Sequence, residues 1–290
     1  MTGHFLNRPL AALLLLAGAT SAGATEPLAD PSRLVTIGGS ITEIAYALGA
    51  GDQIVGRDTT STYPPEAAAK PDIGYMRQLS PEGVLSINPS AIITIEGAGP
   101  PQTMDVLKQA EVEMAVVPED YSRDGILAKV EMVGALIGRE AEADALADDI
   151  KARLDPLLAA NEARPEEERK SALFILSLNG GKVMASGTGT AANGMIEAAG
   201  LDNAIGDFPG YKALSDEAII KAAPDVIILM DESAGSRAPT NDDIAANPAL
   251  SLTPAGEAMA IYRIDPVGML NFGPRFAENL AALTTEIYGD

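Results

Sequence analysis

The chain has 290 residues, 47% hydrophobic and 21% charged, enough apolar material for one or two packed cores and too much for a wholly disordered protein. Its 20 Lys and Arg stand against 41 Asp and Glu, a formal charge of −21 that repels phosphate backbones and sets nucleic acid aside as a partner. Cysteine is absent and the single histidine is His4, which excludes disulfides, thiolate nucleophiles, iron–sulfur clusters and cysteinyl zinc sites.

Residues 1–24 read as a secretory signal peptide. Arg8 supplies the positive start, Ala11–Ala19 the apolar run, and Ala22-Gly23-Ala24 the small-residue cleavage pattern before Thr25. The apolar run is too short to span a membrane. No cysteine follows it to carry a lipid, so the expected product is soluble and periplasmic and not a lipoprotein. Cleavage removes His4 as well. The remaining chain then has no means of building a Ser-His-Asp triad, a Cys–His pair or a histidine-rich metal site. General acid–base work falls to carboxylates, lysine or tyrosine.

Arg33–Ile37 reads as a buried strand running into Gly38-Gly39. Ser40-Ile41-Thr42-Glu43 has the form of a capping box, opening a helix through Leu48 that Gly49 ends. Gln53–Gly56 is a second strand, and Tyr63-Pro64-Pro65 marks a loop. A short helix over Leu79–Ile87 leads through Pro89 to a strand at Ala91–Ile95; a helix at Thr103–Ala110 and a strand at Glu113–Val117 follow. Strands alternating with helices predict an α/β fold with parallel sheets.

From Arg123 the apolar spacing becomes helical, with Ile126, Val130, Val133 and Ile137 on one face. A second helical run follows Gly138 to about Asn161, with Pro156 expected to kink or restart it. The charged stretch Arg164–Lys170 reads as a boundary, after which alternation resumes through Leu173–Leu178, Lys182–Ala185, Met195–Ala199 and Val226–Leu229. The expected division is an N-terminal lobe over 25–138, a linking helix over 139–168 and a C-terminal lobe over 169–290.

The halves echo one another. Leu79-Ser80-Pro81-Glu82, Pro89 and Ile92-Ile93 match Leu214-Ser215-Asp216-Glu217, Pro224 and Ile227-Ile228, every pair offset by 135 residues (Ser80 to Ser215, Pro89 to Pro224). Each unit reads as a capped short helix bearing a carboxylate, then proline, then an apolar strand.

These features resemble the periplasmic substrate-binding proteins of ABC importers over about Arg33 to Asp290. The general marks are the RLVTIGGSITEIAYALG opening, the Tyr63-Pro64-Pro65 loop and the two Glu/Pro units. Asp72-Ile73-Gly74-Tyr75-Met76-Arg77-Gln78-Leu79-Ser80 is similar to a segment of the haem-binding branch, and Asn271-Phe272-Gly273-Pro274-Arg275 to another. The resemblance implies two Rossmann-like lobes joined by a long helix, with a ligand cleft between them. It further implies haem as cargo, Tyr75 as axial ligand to its iron with Arg77 beside it, and Glu82 and Glu217 as the pair that docks on an ABC permease with its ATPase. An outer-membrane haem receptor is the upstream partner it suggests.

Tyrosine phenolate is a recognised axial ligand of haem iron, and its ordinary pKa of about 10 means that the metal or nearby positive charge must displace the proton. Arg77 stands on the same side as Tyr75 if the segment is extended. Some haem binders offer a histidine from the second lobe; here Asn179 lies near that region, so a five-coordinate site through Tyr75 is the simpler reading, with methionine or water as options behind the iron. Tyr211 lies near the echo of Tyr75, at an offset of 136 residues (75 to 211), and is a pocket candidate. Ser186-Gly187-Thr188-Gly189-Thr190 reads mainly as a strand-to-helix turn, with a cargo carboxylate contact as the second reading. The alternatives are the same fold carrying cobalamin or a ferric siderophore, and a carboxylate-based hydrolase.

Overall fold

The structure, a computed structural model, describes residues 25–231 and 238–289; the expected signal peptide and His4 lie outside them. Strand β1 (Leu34–Ile37) leads into helix α1 (Gly39–Ala47), and β2 (Ile54–Arg57) is followed by α2 (Pro65–Ala68) and α3 (Pro81–Leu85). Then come β3 (Ala91–Ile95), α4 (Pro101–Gln109) and β4 (Glu113–Val117). These strands form one parallel sheet in the order β2-β1-β3-β4. The central strands β1 and β3 are buried along their whole length, as their unbroken apolar sequences require of a parallel sheet covered on both faces.

Two helices leave this sheet. α5 (Arg123–Ile137) ends on Gly138 in the left-handed conformation, and α6 (Glu140–Glu162) follows directly. α6 runs through Pro156 without the restart that is one of the two sequence expectations. Pro156 removes one donor from the ladder, while tertiary packing of Ala143, Ala147, Ile150 and Leu154 holds the rod together.

The second sheet contains β5 (Ser171–Asn179), β6 (Lys182–Ser186), β7 (Asp202–Asn203), β8 (Tyr211–Ala213), β9 (Val226–Met230) and β10 (Ile261–Ile264). Its order is β10-β9-β5-β6-β8, parallel through β10, β9 and β5 and antiparallel through β6 and β8, with β7 pairing β5. Helices α7 (Ala191–Ala198), α8 (Asp216–Ala222), α9 (Asn241–Ala246), α10 (Pro254–Ala258), α11 (Pro266–Leu270) and α12 (Phe276–Tyr288) complete the lobe. Met195–Ala199 therefore lies at the end of a helix. The fold is α/β, two sheet-centred lobes bridged by helices.

The period-two rule of strands distributes the core. Ala172 and Phe174 of β5 join Val226 and Ile228 of β9 in a core that continues through α5 and α6 to the first sheet. Leu173 and Ile175 face the other way, with Ile227 and Leu229, into a separate core. One apolar body thus spans both lobes and their linker.

The internal echo is structural. Ser80 caps α3 by accepting from the Gly83 N–H, and Ser215 caps α8 by accepting from the Ala218 N–H. β3 and β9 then begin at Ala91 and Val226, 135 residues apart (91 to 226).

The capping box expected at Ser40 does not form. α1 begins earlier, with Gly38 as its cap at φ 109°, and the Ser40 side chain makes no cap bond. Only glycine suits Gly38, because a Cβ there would stand 2.7 Å from Ile95 Cγ2. The Glu43 carboxylate, freed from a capping role, crosses to the second lobe.

Candidate functional site

Tyr75 lies between β2 and α3, in a segment fixed by hydrogen bonds and not by regular structure. The Gln78 N–H donates to the Tyr75 carbonyl at 2.7 Å and closes a turn with Met76 and Arg77 at its centre. The segment is a turn and not extended, because Gly74 at φ 102° redirects the chain while Met76 buries its side chain and accepts from the Gly99 N–H at 2.9 Å. The turn folds Arg77 back onto Tyr75: Arg77 Nη1 donates to the Tyr75 hydroxyl oxygen at 2.9 Å. Tyr75 is 38% exposed, and its oxygen is held by a permanent cation at the surface of the first lobe.

Tyr211 stands at the start of β8 on the second lobe, paired in register with Ser186. It is 40% exposed as a residue, yet its hydroxyl end is packed in. Burial pushes its pKa up, against hydrogen bonding to Thr190 and Ala192 and the charge of Arg77. Tyr121, four residues beyond β4, is also pushed up by burial and by Glu119, with Arg77 opposing. One guanidinium of the first lobe is therefore in electrostatic reach of three phenols: Tyr75, Tyr121 and Tyr211. This is the cleft at the carboxyl ends of the strands, where open α/β sheets bind ligands.

The two lobes are clasped beneath it. Glu43 of α1, 4% exposed, accepts from the Arg275 backbone N–H at 3.1 Å and from Arg275 Nε at 3.2 Å. Arg275 also pairs with Asp265, and its guanidinium lies 3.7 Å from the Tyr63 ring centroid. Burial pushes the Glu43 pKa up, with Arg275 opposing. Lys129 of α5, 1% exposed, donates to Glu119 at 2.6 Å and to the Asn271 carbonyl at 3.1 Å. Burial lowers Lys129 and raises Glu119, each opposed by its partner. Phe272 stacks on Phe276 at 4.3 Å and meets Tyr121 at 5.5 Å. The Asn271–Arg275 segment thus closes the interface between the lobes.

The remaining sequence candidates separate. Glu82 on α3 and Glu217 on α8 are exposed, one on each lobe, at equivalent positions of the echoed helices. Asn179 sits at the β5–β6 hairpin, exposed. The Ser186–Thr190 segment is a strand-to-helix turn, with Gly189 at φ 68° and Thr190 capping α7. Tyr121 and Lys129 escaped sequence reasoning, in which Glu43 reads only as part of a helix cap and Arg275 only as part of a recurrent segment without a role. Tyr121 carried a usable signal, its place just beyond the carboxyl end of a parallel strand. A cavity of ≈ 240 Å³ between α6 and α7, lined in part by Asn161, Arg169 and Glu197, includes no residue of the Tyr75 turn.

The model of the periplasmic binding protein family matches residues 34–267. The chain belongs to this family. Among solved structures, this periplasmic binding protein is 33% identical to the periplasmic heme-binding protein BhuT in complex with two hemes, with a TM-score of 0.83, covering 88% of this chain and 97% of that one. It is 35% identical to the periplasmic heme-binding protein RhuT from Roseiflexus sp. RS-1, with a TM-score of 0.82 over 89% of this chain and 98% of that one. An uncharacterized ABC transporter substrate-binding lipoprotein, YvrC of Bacillus subtilis, is 29% identical over 90% of this chain and 81% of its own length. A cobalamin-binding protein of Halobacterium salinarum is 27% identical over 69% of this chain and 54% of its own. No helix among the described residues is long and apolar enough to cross a membrane.

Proposed function

We propose that this periplasmic binding protein captures ferric haem between its lobes and delivers it to an ABC permease and its ATPase, with no chemical turnover of its own. The observation that carries the reading is the Arg77–Tyr75 pair: a phenol oxygen exposed in the cleft, held 2.9 Å from a guanidinium donor. A hard phenolate suits Fe(III), and a cation bonded to that oxygen stabilises the anion once iron takes the place of the proton.

The donor set fits a metal that arrives inside a macrocycle. Among the described residues no three His, Cys, Asp or Glu side chains stand together to cage a bare ion. Haem needs only an axial donor from the protein, with aromatic and apolar walls for its faces. Tyr75 is that donor, the site is five-coordinate, and Tyr211, whose hydroxyl is engaged with Thr190 and Ala192, is a wall of the pocket. The similarity to RhuT and BhuT supports haem. The cobalamin-binding relative keeps cobalamin as the competing cargo.

In this reading residues 25–138 and 169–290 are the two lobes and 139–168 the link. Glu82 and Glu217 dock the carrier on the permease. Residues 1–24 export the chain, cleavage near Ala24 frees it, and the absence of cysteine leaves no thiol for a lipid. An outer-membrane haem receptor supplies the cargo.

Titration of the mature protein with hemin and with cyanocobalamin tests this. Hemin is expected to bind with the charge-transfer absorption of tyrosinate-ligated ferric haem. Tyr75→Phe is expected to lose that band and weaken binding. Cyanocobalamin binding without hemin binding, or an unchanged hemin spectrum in Tyr75→Phe, overturns the reading.

A further inference from the structure

The Tyr75 turn contains no helix or strand, and a loose loop would spread the phenol over many positions, at an entropic cost to any ligand that gathers them. Backbone bonds and one carboxylate work against this. Asp72 Oδ1 accepts from the Gly74 N–H at 2.8 Å and from Thr59 Oγ1 at 3.3 Å, and Asp72 Oδ2 accepts from Arg57 Nη1 at 2.8 Å. The Thr59 N–H donates to the Gly74 carbonyl at 3.0 Å. Both polar groups of Gly74 are thereby fixed, and Gly74 is the residue immediately before Tyr75.

Arg57 makes this anchor rigid. It ends β2, is 9% exposed, and donates further to the Asp58 carbonyl at 3.1 Å and the Ala68 carbonyl at 3.2 Å. Its backbone pairs with the Asp72 segment: the Arg57 N–H donates to the Pro71 carbonyl and the Ile73 N–H to the Arg57 carbonyl, each at 3.0 Å. On the far side of the turn, the Gly99 N–H holds the Met76 carbonyl. The phenol is thus suspended between two fixed points, and the half-exposed Asp72 carboxylate is the side-chain tie of the one next to it.

We infer that Asp72, braced by Arg57, is the positioning residue that sets the Tyr75 phenol and the Arg77 guanidinium for the cargo. The inference rests on Tyr75 being the iron ligand. Groups that orient a metal's protein ligand typically contribute about 10- to 100-fold to affinity without touching the metal. A purely structural role predicts something else: lower stability, with the spectrum of bound hemin unchanged.

The test compares hemin binding to the mature wild type, Tyr75→Phe, Asp72→Ala, Asp72→Asn and the Asp72→Ala/Tyr75→Phe double variant. Amide hydrogen exchange over residues 73–78 of the cargo-free proteins is measured alongside. Asp72→Ala is expected to weaken hemin binding about 10-fold or more, to diminish the tyrosinate band at saturation and to speed exchange over the turn. Asp72→Asn, which keeps an acceptor for the Gly74 N–H, is expected to recover much of the loss. The double variant is expected to bind no more weakly than Tyr75→Phe, since a positioning residue has no effect once its ligand is gone. An effect of Tyr75→Phe with wild-type spectrum, affinity and exchange in Asp72→Ala overturns the positioning role alone. An unchanged Tyr75→Phe overturns the ligand reading, and the positioning role with it.

Discussion

Arg77 Nη1 and the Tyr75 hydroxyl oxygen meet at 2.9 Å across a single turn of chain, so a permanent cation donates to a phenol only two residues away. Arg77→Ala removes that cation and leaves the phenol in place. The variant is expected to bind hemin more weakly than wild type, by less than Tyr75→Phe does. Hemin titrations of wild type, Arg77→Ala and Tyr75→Phe check this; superimposable curves for wild type and Arg77→Ala refute it.

Glu82 and Glu217 are exposed at matching places on the two lobes. Replacing both with Lys is expected to leave hemin affinity unchanged and to abolish uptake through the permease. Normal uptake by the double variant would make them ordinary surface carboxylates.

Glu43 gives a pH signature. Burial holds its pKa above the ordinary carboxylate value, so the folded state binds this proton more tightly than the unfolded chain. Its contribution is fully present below the unfolded value of about 4.3 and is lost as pH rises through the raised folded value. Glu43→Gln should therefore flatten stability against pH in that window. Urea unfolding from pH 4 to about 7 checks the slope, and parallel curves for the two proteins count against it.

Lys129 and Glu119 form the most deeply buried ion pair of the described residues. Lys129→Met strands Glu119 and is expected to cost about 3–5 kcal/mol. Burial already raises Glu119, and losing its partner raises it further, so the loss should grow as pH rises above the carboxylate range. Lys129→Met/Glu119→Leu should regain much of the stability. Chemical denaturation at two pH values measures both effects.

The sequence disclosed what is local. The Ser80 and Ser215 caps, the prolines after them and the apolar strands beyond are each written in a few adjacent residues, so the echoed units and the α/β alternation were legible. The proximity of Tyr75 and Arg77 was legible too, though for a different reason from the one expected. An extended segment was the natural inference, whereas the turn is imposed by Gly99 bonding to Met76 from 23 positions away (76 to 99). The Ser40 capping box misled because Glu43 is claimed by Arg275, 232 residues distant. No local pattern encodes such a partner, and the same holds for Lys129 and the Asn271 carbonyl.

The clasps beneath the cleft shift where the work of transport is done. Glu43–Arg275 and Lys129–Asn271 tie α1 and α5 to the segment before α12, and a continuous apolar core runs under them. Two lobes tied at a shared seam have little freedom to swing against one another. Any partner that pulls on both lobes at once therefore strains these clasps first.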